Sequence, residues 1–283
     1  MYNLHLKEVC LQTRRDILRM IYNAKSGHPG GALGATEYFI ALFHKIMDFH
    51  PSNFQIEGKK EDLFFLSNGH ISAVFYSILA RNGYFAIDEL SYFRTINSRL
   101  QGHPSVYEKL PGIRVASGSL GQGMSVALGV AKSKQISNDS YILYSYHGDG
   151  ELDEGQNWEA ILYAGAKKVD NYIATIDYNN LQIDGNTDKV MHLGNIKMKF
   201  ESFGWHVLEE TKGNCLNSVI MILQKAKKKA KKGKPILIIL HTDMGHGVNF
   251  MNGSYQWHGK SPTFEELKKA LHQLPESIGD YDK

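Results

Sequence analysis

The sequence predicts an α/β fold: an open, mainly parallel sheet with helices on both faces. Three observations predict it. Apolar runs of strand length alternate with helix-period segments along the second half of the chain. Glycine-rich turns stand where strand gives way to helix, at "GSLGQG" (118–123) and "HGDG" (147–150). One helix and one strand fit between successive strand ends, the spacing of a parallel βαβ unit.

The elements follow in order. Leu4, Leu11, Ile17, Leu18 and Ile21 repeat with a helical period, and the pattern stops at Ser26-Gly27-His28-Pro29-Gly30-Gly31. A second apolar helix is expected over "GATEYFIALFHKIM". "EDLFFLS" (61–67) reads as a buried strand leading into Asn68-Gly69-His70, with a helix from about Ala73 to Arg81. "GQGMSVALGVAKSKQ" is a glycine-rich turn entering a helix, "YILYSY" a strand, and "EGQNWEAILYAGAKK" an amphipathic helix starting near Glu154. "NYIATID", "WHVLEE" and "PILIILHT" are strands, the last two separated by the helix "LNSVIMILQKAKKKA". "TFEELKKALHQL" forms a C-terminal helix; Trp158 and Trp205 are assigned to core packing.

Composition narrows the function classes. The chain has 283 residues, 42% of them hydrophobic, and a formal charge of +3, ordinary values for a globular protein with a substantial core. Neither nucleic acid nor membrane is expected as a partner. The lysine run from Lys225 to Lys234 reads as a solvated helix end stopped by Gly233. Cys10 and Cys215 have no CxxC companion, which argues against a disulfide framework or a structural zinc site. The N-terminus lacks signal-peptide features, and "ILIIL" is too short to span a bilayer, so a cytoplasmic location is expected.

The chemistry concentrates where strands end. Asp149 lies between two glycines after a strand, with Glu151, Asp153, Glu154 and Glu159 crowded behind it. Flanking glycines permit a tight turn and close approach of an anion, and the following helix N-terminus favours negative charge. A phosphate beside a carboxylate needs a cation between them, and a hard divalent ion such as magnesium fits. Alone, the motif reads as a plain turn. Asn179 and Asn180 follow Gly150 after a further 28 residues (151–178), one helix plus one strand away, which brings Asp149 and Asn179 to the same sheet edge. Each histidine at 28, 70, 103 and 258 reads singly as a turn or core residue. Jointly, three follow glycine and one precedes it, all in expected loops, and together they favour one site.

This pattern resembles the diphosphate-binding motif of thiamine-diphosphate enzymes, and "GDGELDEGQNWEA" resembles transketolase. Further motifs run in the family's order along nearly the whole chain: "SGHPGG", "LSNGH", "GHP", "PGIRVASGSLGQGMSVALGVA", "IDYNNLQIDG" and "WHGKSP". The resemblance implies the thiamine-diphosphate-binding fold as a single domain over 1–283, with a helical segment over about 1–60 and a helix over about 263–274. It implies thiamine diphosphate and Mg2+ as cofactors, with Ca2+ or Mn2+ as substitutes. Asp149 and Asn179 would bind the metal through side chains and Leu181 through its carbonyl. Gly150, His70 and His258 would contact the diphosphate, and Gly118 and Leu120 would face the rings. His28, His103 and His258 would move protons at the sugar, and Glu154 would join a carboxylate network with a partner. Glu151 and Asp153 are expected only to favour the helix N-terminus. His147 stands where the family usually has an apolar or small residue, and a lysine is often found near Met244 or His246. These departures sit close to the expected cofactor edge.

Nothing in the 283 residues resembles the family's pyrimidine-binding domain. The expectation is therefore the N-terminal subunit of a split transketolase, completed by a C-terminal subunit in an α2β2 assembly. The pair would pass a two-carbon ketol unit between sugars or sugar phosphates. Alternatives are a transketolase-like subunit for specialised, for example sulfonated, sugars; an inactive cofactor-binding or interaction protein; and a nucleotide-binding Rossmann module, disfavoured because no GxGxxG sits between the first strand and its helix.

Overall fold

The computed structural model describes residues 2–282, with side chains from 5 onward. Met1, Lys283 and the Leu4 side chain, which enter the expectations above, lie outside these. Helix α1 (Tyr2–Ala24) buries Ile17, Leu18 and Ile21 and ends as Lys25 takes a φ of 50°. The chain does not stay irregular through Gly31 as expected. Helix α2 (Pro29–Gly34) begins inside that stretch, with Pro29 in its first turn, where a missing N–H costs nothing. The one apolar helix expected next is also divided. After Ala35 comes α3 (Thr36–Ala41), which widens into a π turn over Leu42–Ile46, closed by the Met47 N–H on the Leu42 carbonyl. Small residues allow α2 to lie against the Asp243–Met244 backbone. A Cβ on Gly34 would sit 2.8 Å from the Asp243 carbonyl oxygen.

Strand β1 (Leu63–Leu66) leads to α4 (Ser72–Arg81), and α5 (Gln122–Ile136) leads to β2 (Leu143–Gly148). Then follow α6 (Gly155–Ala166), β3 (Tyr172–Tyr178), a two-residue hairpin of β4 (Leu181–Gln182) and β5 (Gly185–Asn186), α7 (Thr187–Val190) and α8 (Ile196–Ser202). The chain finishes with β6 (His206–Glu210), α9 (Leu216–Lys229), β7 (Ile236–His241) and α10 (Phe264–Gln273). The five long strands form one sheet in the order β1-β2-β3-β7-β6, every pair parallel. The β4–β5 hairpin is not legible in the sequence, because two residues per strand leave no periodicity to read.

Each face of the sheet has its own core. Residues of α1, α3, α4 and α9 pack on one face around Tyr38, Phe39, Phe64 and Tyr146. Residues of α5, α6 and α8 pack on the other with Tyr172 and Trp205, whose indole N–H donates to the Ile161 carbonyl at 2.8 Å. The β2-to-β3 crossover thus uses one face and the β6-to-β7 crossover the other. The chain leaves β1 for α4 on one face and β2 for α6 on the other, and a crevice opens at the strands' carboxyl ends. The face covered by α1, α3, α4 and α9 also holds a buried ion pair: Arg14 in α1 places one nitrogen 2.7 Å from both carboxylate oxygens of Glu37 in α3.

The lysine-rich end of α9 departs from the expected stop. The helix ends at Lys229 with Ala230 extended, ahead of Gly233. Lys227 is not purely solvated: it donates to the Ile46 carbonyl at 2.5 Å and pairs with Asp62 at 3.1 Å. No helix among the described residues is long and apolar enough to cross a membrane. Cys10 and Cys215 are both free, the first buried and the second exposed.

Candidate functional site

A cleft of about 270 Å³ opens at the carboxyl ends of the strands. Four turns line it. Asn68 and His70 follow β1, Gly118 and Leu120 precede α5, Asp149 and Gly150 follow β2, and Asn179, Leu181 and Gln182 follow β3. His28, Met244 and His258 close the side toward α2. Of the residues singled out from sequence, His28, His70, Gly118, Leu120, Asp149, Gly150, Asn179, Leu181 and His258 line the cleft, and His103 and Glu154 do not. His103 is exposed and stands behind the Gly118 turn, its ring 6.4 Å from that of His28. Glu154 is exposed at the N-cap of α6, its stem against the Gly121 turn.

The two halves of the expected metal site meet. Asp149 Oδ2 accepts the Asn180 N–H at 2.6 Å, and Oδ1 accepts the Gly150 N–H at 2.8 Å. Asn179 Oδ1 accepts the Leu181 N–H at 2.9 Å. Each of these oxygens keeps a lone pair for a further partner. The Gly150 N–H, expected to meet the diphosphate, donates here to Asp149 and would exchange partners to meet a phosphate. Among the described residues no group of three His, Cys, Asp or Glu side chains is placed to hold a metal ion. The expected set needs none, since it consists of one carboxylate, one amide and one carbonyl.

Asp149 is 2% exposed, and burial, then the neighbouring Asp177 carboxylate, push its pKa well above the usual range. Asp177, also buried and pushed up by that burial, accepts from Thr242 Oγ1, tying the end of β3 to the residue after β7. Two buried carboxylates thus share one cleft, each with its charged form disfavoured by burial. Among the polar atoms of lining residues, Asn68 Oδ1 and His28 Nδ1 are buried without a hydrogen-bond partner. A bound ligand or water would satisfy them.

The histidines cluster as expected. The His28 ring lies 5.0 Å from His70 and 5.5 Å from His258, and His70 lies 5.1 Å from His258. Burial lowers all three pKa values, with mutual repulsion adding to it at His28 and His70. His28 falls to about 4 and His70 well below its usual value. Burial and then Arg94 lower His103. At neutral pH these imidazoles are uncharged, able both to accept and to donate a proton. Gly118 holds the loop between His103 and the cleft: its φ is 140°, and a Cβ there would lie 3.0 Å from His103 Cγ.

Several residues differ from the sequence reading. Glu151 does more than favour a helix N-terminus. It is 2% exposed and lies in a 3-10 turn (Gly150–Asp153), where contacts from His147, Ser67 and Gly121 outweigh burial and hold its pKa below the usual range. Asp177, Asn68 and Met244 join the cleft without having been singled out from sequence. The first two lie inside the "IDYNN" and "LSNGH" motifs, so adjacency to Asn179 and His70 is the signal that could have found them. His147 is fully buried beneath the turn, outside the cleft lining. His241 pairs with Glu209 at 2.9 Å in a separate depression, and the carbonyl of His246 accepts from Arg14.

A doubly covered parallel sheet, a carboxylate and an amide joined across neighbouring strand ends, and uncharged histidines opposite them define a class. It is an α/β protein with a ligand cleft at the carboxyl ends of its strands, lined by buried carboxylates and uncharged histidines. The chain belongs to the transketolase family: residues 7–276 match the domain described as "Transketolase, thiamine diphosphate binding domain". It is similar to an apulose-4-phosphate transketolase subunit of Phocaeicola vulgatus, 35% identical over 96% of this chain and 94% of that protein. It is also similar to the 6-deoxy-6-sulfo-D-fructose transketolase subunit SqwG of a Clostridium species, 37% identical over 95% and 97% respectively. Among solved structures, transketolase from Campylobacter jejuni superposes with a TM-score of 0.87 at 34% identity. That match covers 95% of this chain but 42% of the other. The chain thus spans nearly all of the subunit relatives and about two fifths of the solved transketolase.

Proposed function

We propose that this chain is the N-terminal, diphosphate-binding subunit of a split transketolase, a glycolaldehyde transferase active only with a pyrimidine-binding C-terminal subunit in an α2β2 assembly. The observation that carries this reading is the match to relatives named as subunits over 94% and 97% of their own lengths. The donor chemistry of the cleft fits the cofactor. Asp149, Asn179 and the Leu181 carbonyl would hold magnesium, whose charge relieves the buried Asp149–Asp177 repulsion. His70, His258 and the Gly150 N–H would hold the diphosphate, with Gly118 and Leu120 against the rings.

Thiamine diphosphate, when bound, supplies an electron sink that side chains lack. This chain's residues bind and orient it and manage protons. His28, His103 and His258, uncharged at neutral pH, would accept and return a proton at the sugar hydroxyls. Glu154, exposed at the start of α6, would face a carboxylate of the partner subunit. The substrates named for the two relatives, a sugar phosphate and a sulfonated sugar, support a second reading in which the ketose is a specialised anionic one. An inactive role is disfavoured, because Asp149, Asn179 and the histidine set are all present.

The test is an assay of the purified chain with thiamine diphosphate, magnesium and a panel of ketose donors, with and without a C-terminal transketolase subunit. Turnover is expected only with the partner, and robust turnover by the chain alone would sink the split-site reading.

A further inference from the structure

Glu151 lies two residues past Asp149, yet its carboxylate is engaged elsewhere. Oε1 accepts from Ser67 Oγ at 2.5 Å and from the Gly121 N–H at 2.9 Å. Oε2 accepts from the Gly148 N–H at 3.2 Å and lies 3.7 Å from Nδ1 of His147. Its own carbonyl accepts from the Asn157 side chain in α6 at 2.6 Å. Three of these partners begin or end the cleft's cofactor-facing turns. Ser67 precedes Asn68 and His70, Gly121 ends the loop carrying Gly118 and Leu120, and Gly148 precedes Asp149 and Gly150.

The packing beneath the junction is close. A Cβ on Gly123 would sit 2.3 Å from Ser67 Oγ, so the start of α5 is pressed onto the end of β1. Below Glu151, His147 Nε2 is 2.7 Å from Ser145 Oγ, which is 2.6 Å from the Tyr172 hydroxyl. All four side chains are buried, so the carboxylate stands on a polar column within β2 and β3. Without it, the Gly121 and Gly148 N–H groups and the Ser67 hydroxyl would lose a partner away from water, and with it the one side chain among the described residues that hydrogen-bonds to all three turns.

We propose that Glu151 is a positioning residue: one buried carboxylate sets the three turns in register, so that His70, Leu120 and Asp149 converge on the same bound group. This rests on the reading of the cleft as the thiamine-diphosphate site. A glutamine would keep one accepting oxygen and turn an NH2 group toward a backbone or hydroxyl donor, so about half of the junction would be lost with the volume unchanged.

The experiment uses the chain with magnesium and its partner subunit, and measures the thiamine-diphosphate Kd by titration calorimetry. Hydrogen exchange at Gly121 and Gly148, circular dichroism, and the donor KM at saturating cofactor are measured in parallel. Glu151→Gln should raise the Kd about tenfold to a hundredfold, the loss expected for an outer partner of a metal site. Exchange at both glycines should quicken, with fold and donor KM little changed. Ser67→Ala, which removes one contact, should raise the Kd by a few-fold and add nothing in the Glu151→Gln background. If Glu151→Gln fails to fold, Ser67→Ala decides alone. A variant that melts earlier yet binds cofactor as the parent does would make Glu151 an ordinary core residue and overturn the proposal. Asp149→Asn separates the two readings. If it binds cofactor normally, the site itself is misread; if it loses binding while Glu151→Gln does not, only the positioning role falls.

Discussion

The backbone N–H of Asn180 donates to Oδ2 of Asp149 at 2.6 Å, joining the turn after β2 to the turn after β3. Residues 31 positions apart thereby form one corner of the cleft. That corner carries an Asp149 whose pKa is raised by burial and Asp177, with the Asn179 amide beside it. Asp149→Ala should abolish magnesium-dependent cofactor binding in the assembled enzyme, by at least about 100-fold in Kd, the upper range for even an indirect metal partner. Titration with thiamine diphosphate in the presence and absence of magnesium checks it. Tight binding retained in the variant would place the metal elsewhere.

Acid should weaken the fold through the histidine cluster. His28 titrates near 4 in the folded chain against 6.5 when unfolded. Its folded pKa is depressed, so its contribution is fully present above pH 6.5 and lost as pH falls toward 4, where the unfolded chain binds a proton that the folded chain refuses. Across this window the thermal midpoint of His28→Asn should fall less steeply than that of the parent. Parallel pH profiles for the two would show that His28 is not titrating as described.

Two histidines should behave differently. His70 lines the cleft and His103 does not. His70→Ala should weaken cofactor binding. His103→Ala should leave the cofactor Kd nearly unchanged and lower kcat by about 100-fold, the lower range for loss of a proton-transfer group. Steady-state kinetics and calorimetry on both variants separate the roles.

Gly118→Ala tests the loop between them. At a φ of 140°, with His103 Cγ 3.0 Å from the new methyl, the substitution should strain the turn by about 1–3 kcal/mol and weaken cofactor binding. The far-UV spectrum should be unchanged. Unaltered cofactor affinity would mean the loop can relax without disturbing the cleft.

The buried Arg14–Glu37 pair gives a stability prediction. Arg14→Met leaves the Glu37 carboxylate, 5% exposed, without its partner and should cost about 3–5 kcal/mol in denaturant unfolding. Arg14→Met with Glu37→Leu should recover much of that loss. A double variant no better than the single one would show that other contacts dominate there.

Much of this is legible in the chain. The five sheet strands, helices α4, α5, α6 and α9, and the placing of Asp149 and Asn179 at one sheet edge follow from period and spacing, because a parallel βαβ unit fixes which strand ends are neighbours; α7 and α8 do not. The start of α2 is not, although Pro29 is a helix-start residue, since the glycines around it read as a break. The roles of Glu151 and His147 are not legible either. A run of acids after a turn looks alike whether its members face water or a buried junction, and the partners of Glu151 come from Ser67 and Gly121, distant in sequence.

The sequence by itself determined the fold class and the family. It could do so because period, turn chemistry and motif spacing are local properties that survive in one dimension. Only the tertiary structure decided which carboxylates are buried and which donors each one meets, and which histidines line the cleft. Those outcomes depend on burial and on donors brought from other strands, and the chain acquires both only when its sheet is assembled.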